Sequence, residues 1–376
     1  MADKNFKSNA DAYVDGSRTL EPKYYTSQDI FEVEKEKIFR HYWLCLGHES
    51  GLSSATYRLQ NVIGNNLIVL KDHQGVVRVF YNTCRHRNTL LCEEPAGELK
   101  HTIQCPYHQW TYFLDGALIP PKVMKGVKAF KPEENGLIAV PLWIDNGFIF
   151  INLSGHDIEP YLRQYAPMIP KINQWSGKGL KVVHRVSAIV RTNYKLVVTN
   201  FHECGHCEAN HELFNTFVDN SAAAHDLTEG PFLGGYMDIL NGESVTMSRK
   251  LCALPLSPAD AKGASRGWYY GAPNTLWNKH PDYIMVHHLF PISTTETEVV
   301  SEWLFNKDAI GKPGYDPQQA IEAWTVTNKE DWELCRANQL GMESGATKPG
   351  WHATNESMLI AYDNWIRERT RVKRTR

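Results

Sequence analysis

No apolar run approaches the length that spans a bilayer, and the chain opens on Met-Ala-Asp-Lys without the apolar stretch of a secretion signal. A cytoplasmic protein with no membrane association is therefore expected. An excess of one charge is missing too: 40 Lys and Arg against 42 Asp and Glu leave a formal net charge of −2, with no global pull toward nucleic acid. Neither a P-loop nor a G-x-G-x-x-G opens a strand–helix unit, so nicotinamide binding within this chain is not expected, and any redox chemistry would draw its electrons from another protein. There is no internal repeat. Cysteine is sparse, 8 in 376 residues, and its spacing implies no disulfide framework. Cys45, Cys92, Cys252 and Cys335 read as small buried side chains. Cys204 and Cys207 form a C-x-x-C that a cytosolic setting would keep reduced, either as a redox pair or as more of the same packing. What remains is ordinary composition, 42% hydrophobic and 22% charged, long enough for two or three domains.

Two short pairs carry the chemistry: Cys84-Arg85-His86 and Cys105-Pro106-Tyr107-His108, with eighteen residues between them. Two thiolates and two imidazoles are the ligands of a Rieske [2Fe–2S] centre, in which both histidines sit on one iron and raise its potential. Zinc takes the same ligand types, but a zinc finger groups Cys with Cys and His with His, whereas here each loop supplies one of each. Downstream of the second pair, Trp110, Tyr112 and Leu114 alternate into an Asp115-Gly116 turn, which predicts a half-buried hairpin supporting that loop.

Along the chain, residues 26–43 read as one amphipathic helix capped by Ser27. Short strands follow to about Leu153, among them Asn66–Lys71, Val76–Phe80 and Gly147–Asn152. The stretch Ser154 to Gly179 is rich in Pro, Gly and Ser and reads as the crossing into a second domain. Beyond it lie strand-like runs at Lys181–Val190, Tyr283–Leu289 and Glu298–Phe305, a helix around 194–213 and a long helix around 316–340. The boundaries drawn are a helical segment over 1–40, a cluster domain over 41–155 and a second domain over 156–376. The fold class is α+β: an N-terminal helix, an all-β domain, then an antiparallel sheet wrapped on helices. The basic run Arg367 to Arg376 reads as a solvated tail.

The stretch His202-Glu203-Cys204-Gly205-His206-Cys207-Glu208-Ala209-Asn210-His211 parses in two ways. His202-Glu203-x-x-His206 is the zinc-peptidase pattern, with two imidazoles on one helical face. His206 and His211, five apart, lie about 140° from each other on a straight α-helix and meet one metal only if the helix ends, bends or widens there.

From Tyr81 to Gly116 the sequence resembles the Rieske domain of the ring-hydroxylating oxygenase alpha subunits, down to the ending CPYH-x-W-x-Y. It departs from the family glycines at Asn88 and Gln109, and neither position supplies a metal-binding atom. The resemblance implies cluster ligands Cys84, His86, Cys105 and His108, and a helix-grip (START-like) catalytic domain with a mononuclear Fe2+ held by His206 and His211. A two-histidine, one-carboxylate triad leaves open positions for dioxygen. Thr327 to Leu334 resembles the family helix that supplies the carboxylate, which makes Asp331 the third ligand, with Glu330 as competitor and a plain solvated acidic turn as the remaining reading. The resemblance further implies a head-to-tail homotrimer in which Glu203 joins His206 to His108 of the partner subunit, and a separate flavin/[2Fe–2S] reductase using NAD(P)H. Glu at position 203, Gly242 to Met247, Pro273-Asn274 and His280 to Tyr283 look closest to the branch acting on glycine betaine and carnitine. Oxidative N-demethylation or C–N cleavage of a quaternary ammonium compound is then expected, with Trp268, Tyr269, Tyr270, Trp277 and Tyr283 as candidate cation-binding aromatics. The alternative on the same machinery is hydroxylation or O-demethylation of an aromatic acid.

Overall fold

The computed structural model describes every residue except 1–5, 156–157, 176–178, 220–222, 241, 258–259, 261–265 and 372–376. Ser27 caps the first long helix, accepting from the Ile30 N–H at 3.4 Å. That helix is not uniform: an α segment, Gln28–Glu34, passes into a wider turn over Lys35–Phe39. The turn lets Ile38 and Phe39 stay buried as the chain enters the first sheet.

Three small antiparallel sheets follow. Asn65–Lys71 is central to one of them, and its run Leu67 to Leu70 is buried on both faces, which explains four consecutive aliphatic residues where alternation would mark a half-exposed strand. Thr102–Gln104, Thr111–Phe113 and Leu118–Ile119 form another, whose second turn is the predicted Asp115-Gly116 hairpin: Asp115 accepts the Ala117 N–H at 2.9 Å and Gly116 takes φ +91°. The third joins Leu142–Asp145, Phe148–Ile151 and Leu44–His48.

The crossing from Ser154 is not featureless. It holds helices Ile158–Gln164 and Ile169–Trp175, and their Tyr161 and Trp175, with Tyr165 and Met168 of the turn between them, fill the core between the third sheet and the large one. Four buried large side chains give the segment its own core contacts despite its proline and glycine content.

The rest of the chain is built on an eight-stranded antiparallel sheet among the described residues, running Lys7–Ser8, Ala224–Glu229, Phe232–Asp238, Arg266–Ala272, Thr275–Lys279, Tyr283–Pro291, Thr297–Asn306 and Leu180–Val190. The helix Gln318–Glu343 packs on the sheet at Leu180–Val190, and Ser357–Thr370 packs on it at Ala224–Glu229 and Phe232–Asp238. This last helix absorbs the start of the supposed tail: the Arg367 guanidinium donates to the carbonyls of Arg18 at 2.7 Å and Thr19 at 3.0 Å. Residues 372–376 lie outside the described residues. No described helix is long and apolar enough to cross a membrane.

The small sheets are docked on the large one by buried polar groups. Asn274 exchanges two 2.9 Å hydrogen bonds with the Cys45 backbone. Glu302, fully buried, accepts the His48 N–H at 2.9 Å and stands 3.4 Å from Arg185 Nε, with Arg58 beside it. Burial alone would raise the Glu302 carboxyl, but His288 and the Arg58 and Arg185 guanidinium groups hold it down at about 2. Gly47, at φ +116°, makes this approach possible, since a Cβ there would stand 2.8 Å from Glu302 Oε1.

Candidate metal centres and substrate cavity

At the first centre the two Cys–His loops are built alike. Asn88 N–H donates to the Cys84 carbonyl at 3.0 Å and Gln109 N–H to the Cys105 carbonyl at 3.1 Å, and both residues take φ +58°. The two departures from glycine are thus absorbed in the left-handed region, which Asn adopts readily and Gln at some strain. The Cys84 and Cys105 thiols are buried, whereas the imidazoles stand half-exposed with His86 Nδ1 and His108 Nδ1 3.1 Å apart. Trp110 stacks on His86 at 4.9 Å and 13°. Tyr112 Oη lies 3.3 Å from Cys84 Sγ and accepts the Arg85 N–H at 3.0 Å. Sulfur ligands inside and nitrogen ligands at the surface fit a [2Fe–2S] cluster whose histidine-bound iron faces outward.

At the second centre the helix Tyr194–His202, capped by Asn193 through the Lys195 N–H at 3.1 Å, stops at Glu203. The Glu203 carboxylate captures the N–H groups of Gly205 at 2.7 Å and His206 at 3.3 Å, offering the backbone an alternative to continued helix. A four-residue helix, Cys207–Asn210, then separates His206 from His211. The single helix expected over 194–213 is broken at the point where the two histidines must turn toward one ion. His206 Nε2 stands 3.3 Å and His211 Nε2 3.0 Å from the same atom, Asp331 Oδ1. Their outer nitrogens are also held: His206 Nδ1 lies 2.5 Å from Glu203 Oε1 and His211 Nδ1 lies 2.7 Å from Glu330 Oε2. Each Nδ1–H donates outward and leaves Nε2 free for a metal. Burial opposes charge on both imidazoles, yet the carboxylates outweigh it: Asp331 and Glu203 lift His206 to about 9, and Asp331 and Glu330 raise His211. The same contacts lower Asp331 against its burial. Positive charge is what this cluster stabilises, and its donors fit a two-histidine, one-carboxylate iron site.

The peptidase pattern fails on geometry. His202 is 4% exposed, its Nδ1 bonds the Val198 carbonyl at 2.7 Å, and its ring fills the space over Gly271, so it does not share the His206 face. The expectation of reduced cysteines is also overturned at one pair: the helix break brings the Cα atoms of Cys204 and Cys207 to 4.9 Å, and a disulfide joins them. The Cys207 sulfur, 3.8 Å from His206 Nε2, is committed to that bond. The other cysteines are free and buried.

Cavities flank the break, two of them reaching His206. An outer one of about 340 Å³ is lined by Asn200, Glu203, His206, His352 and Glu356. An inner one of about 50 Å³ lies at the triad, walled by Phe214, Met237, Tyr269, Asn278, Trp324 and Thr327. Among the candidate aromatics only Tyr269 lines it. Strand alternation sends Trp268 and Tyr270 to the other face, where the chain's own Lys171 sits over their rings at 5.8 and 5.0 Å. Trp277 is buried against Trp175 and Phe148. Tyr283 lies behind the wall, accepting from Trp324 Nε1 at 2.8 Å. Phe214 and Trp324 escaped the sequence reading. Trp324, Thr327 and Asp331 follow helical spacing onto one face, a signal that was available.

The chain matches the Rieske [2Fe–2S] domain over residues 42–131 and the ring hydroxylating alpha subunit catalytic domain over residues 178–371. It is 31% identical to the glycine betaine monooxygenase oxygenase subunit of Pseudomonas aeruginosa, over 94% of this chain and 90% of the other. It is 29% identical to the carnitine monooxygenase oxygenase subunit of Acinetobacter baumannii, over 89% and 87%. Among solved structures, a quaternary ammonium Rieske monooxygenase described for carnitine oxidation and inter-subunit electron transfer superposes with a TM-score of 0.80 at 25% identity, covering 97% of this chain and 98% of the other. The chain therefore belongs to the ring-hydroxylating oxygenase alpha subunits, Rieske non-heme iron oxygenases that carry a [2Fe–2S] cluster and a mononuclear iron.

Proposed function

We propose that this oxygenase hydroxylates a carbon bonded to the nitrogen of a quaternary ammonium compound, with oxidative N-demethylation or C–N cleavage as the outcome. The observation that carries the reading is the inner cavity: aromatic rings of Phe214, Tyr269 and Trp324 at the triad and no Lys or Arg among its lining residues. Each ring facing a cation contributes roughly 0.5–2 kcal/mol. The glycine betaine and carnitine relatives point the same way.

In this reading Cys84, Cys105, His86 and His108 hold the cluster, and His206, His211 and Asp331 hold the iron, which supplies dioxygen activation when bound. Glu203 and Glu330 fix the two imidazoles so that each presents Nε2. Phe214, Tyr269 and Trp324 hold the cation and keep water away from the reacting carbon. For demethylation the balance is one substrate, O2, two electrons and two protons to carbinolamine and water, and the carbinolamine then releases formaldehyde and the amine.

We further infer a head-to-tail homotrimer of units divided at 1–40, 41–155 and 156–376, located in the cytoplasm and fed by a separate flavin/[2Fe–2S] reductase. The half-exposed His86 and His108 edge, and the opening of Glu203 onto the outer cavity, support docking of His108 of the partner subunit at Glu203. Among the described residues no hydrogen bond or ring contact joins the two centres within one chain.

The test is binding of a trimethylammonium compound against its neutral tert-butyl isostere. The cation should bind about tenfold or more tightly and stimulate oxygen uptake with release of formaldehyde or another aldehyde. Equal binding of both, or turnover of benzoates with no response to any betaine, would move the assignment to the aromatic alternative.

A further inference from the structure

Behind Trp324, which walls the inner cavity, stands a histidine that neither centre uses. His280 is 3% exposed, and neither its Nδ1 nor its Nε2 has a hydrogen-bond partner among the described residues. Buried polar atoms are almost always paired, so two orphans on one ring point to a missing partner. The ring packs 5.6 Å from Trp324, which walls the cavity, and 4.6 Å from Tyr283.

The ring borders the strand that walls the cavity. Gly267 pairs with Met237, a cavity residue, and a Cβ on Gly267 would meet only His280 Cε1 at 3.4 Å and Nδ1 at 3.5 Å. Asn278, two positions before His280 and on the same face, reaches the cavity, and among the described residues its one side-chain hydrogen-bond contact is a 4.0 Å approach to Met285 Sδ. Above this region the Ser244 to Cys252 loop is pinned by Ser244 Oγ to Asp282 at 2.5 Å and the Tyr283 hydroxyl to the Val245 carbonyl at 2.5 Å.

We propose that His280, with Asn278, is a specificity-determining pair that receives the uncharged, hydroxyl-bearing end of a substrate whose trimethylammonium head lies among Phe214, Tyr269 and Trp324. The inference rests on the cation reading above and narrows it. Burial, reinforced by the charge of Lys279, holds His280 neutral with its pKa down at about 3. A neutral imidazole offers one donor and one acceptor, and so does an alcohol. A carboxylate offers only acceptors and needs a cation when buried. The adjacent Lys279 is not that cation, because it alternates to the opposite face and is paired with Asp260.

The experiment is calorimetric binding to the full, iron- and cluster-loaded chain of three probes: choline, glycine betaine and tetramethylammonium. Choline should bind about tenfold or more tightly than either of the others, and His280→Phe should bring choline down to the affinity of tetramethylammonium. Glycine betaine binding as tightly as choline, or a choline preference that survives both His280→Phe and Asn278→Leu, overturns the proposal. If no probe binds while an aromatic acid does, the cation reading itself has failed and this inference falls with it. Should His280→Phe not fold, Asn278→Leu is read in its place: its choline affinity should fall toward that of tetramethylammonium, and an unchanged choline preference overturns the pair.

Discussion

Glu330 bonds the outer nitrogen of His211, not the metal side: Oε2 lies 2.7 Å from Nδ1, while Nε2 faces Asp331 Oδ1 at 3.0 Å. In the proposed reading two adjacent acidic residues on one helix therefore divide the work, Asp331 as ligand and Glu330 as orienting group. Asp331→Ala should empty the iron site, whereas Glu330→Ala should weaken iron about 10–100-fold without abolishing it. Iron content against cluster absorbance reads the difference. Full iron in Asp331→Ala with loss in Glu330→Ala would reverse the assignment.

The cluster should disappear in Cys84→Ser and in His108→Ala, with loss of the red-brown colour and of the reduced-state EPR signal. Tyr112→Phe is the finer probe. Its hydroxyl lies 3.3 Å from Cys84 Sγ, and a donor to a cluster sulfur stabilises the reduced state. Losing about 1 kcal/mol of hydrogen bond should lower the potential on the order of 40 mV with the cluster intact. An unchanged potential would remove Tyr112 from the tuning of this centre.

Glu203→Gln keeps the shape of the link and lowers its charge. Reduction of the cluster should proceed normally, while oxidation of the pre-reduced cluster, followed by stopped flow with substrate and oxygen, should slow at least about tenfold. Wild-type rates in the variant would show that Glu203 does not couple the two centres.

Glu302 gives the docking of the small sheets a pH dependence. Its carboxyl sits at about 2 in the fold against an ordinary 4.5, so its contribution is complete above pH 4.5 and is lost as pH falls toward 2. Glu302→Gln leaves Arg58 and Arg185 without their partner and should cost about 3–5 kcal/mol near neutrality. Thermal melts of the variant and the natural protein should converge between pH 4.5 and 2. Equal melting temperatures at pH 7 would show that the cluster is not what docks the domains.

Much of this protein was legible along the chain, because the motifs proposed to hold cluster and iron are local. The spacing of Cys84, His86, Cys105 and His108, the Asp115-Gly116 hairpin and the strands Leu180–Val190 and Thr297–Asn306 each depend on neighbours in sequence, where residue type and period suffice. Residue geometry also gave the condition for His206 and His211 to meet one metal, a broken helix, although the pairing itself came from the resemblance. What the chain did not disclose was the cause of the break, which is a carboxylate turning back onto its own following N–H groups.

Tertiary structure decided everything that required two distant segments to meet. Whether Asp331 or Glu330 faces the histidines depends on the rotation of a helix more than a hundred residues away from them. Which aromatics wall the cavity depends on strand alternation and helix phase acting together, so that Tyr269 is joined by Phe214 and Trp324 while Trp268, Tyr270 and Trp277 turn away. The amino-acid sequence by itself set the ligand types and hence the chemistry, since those are properties of side chains. Folding set their directions, because a side chain one position along a strand points to the opposite face.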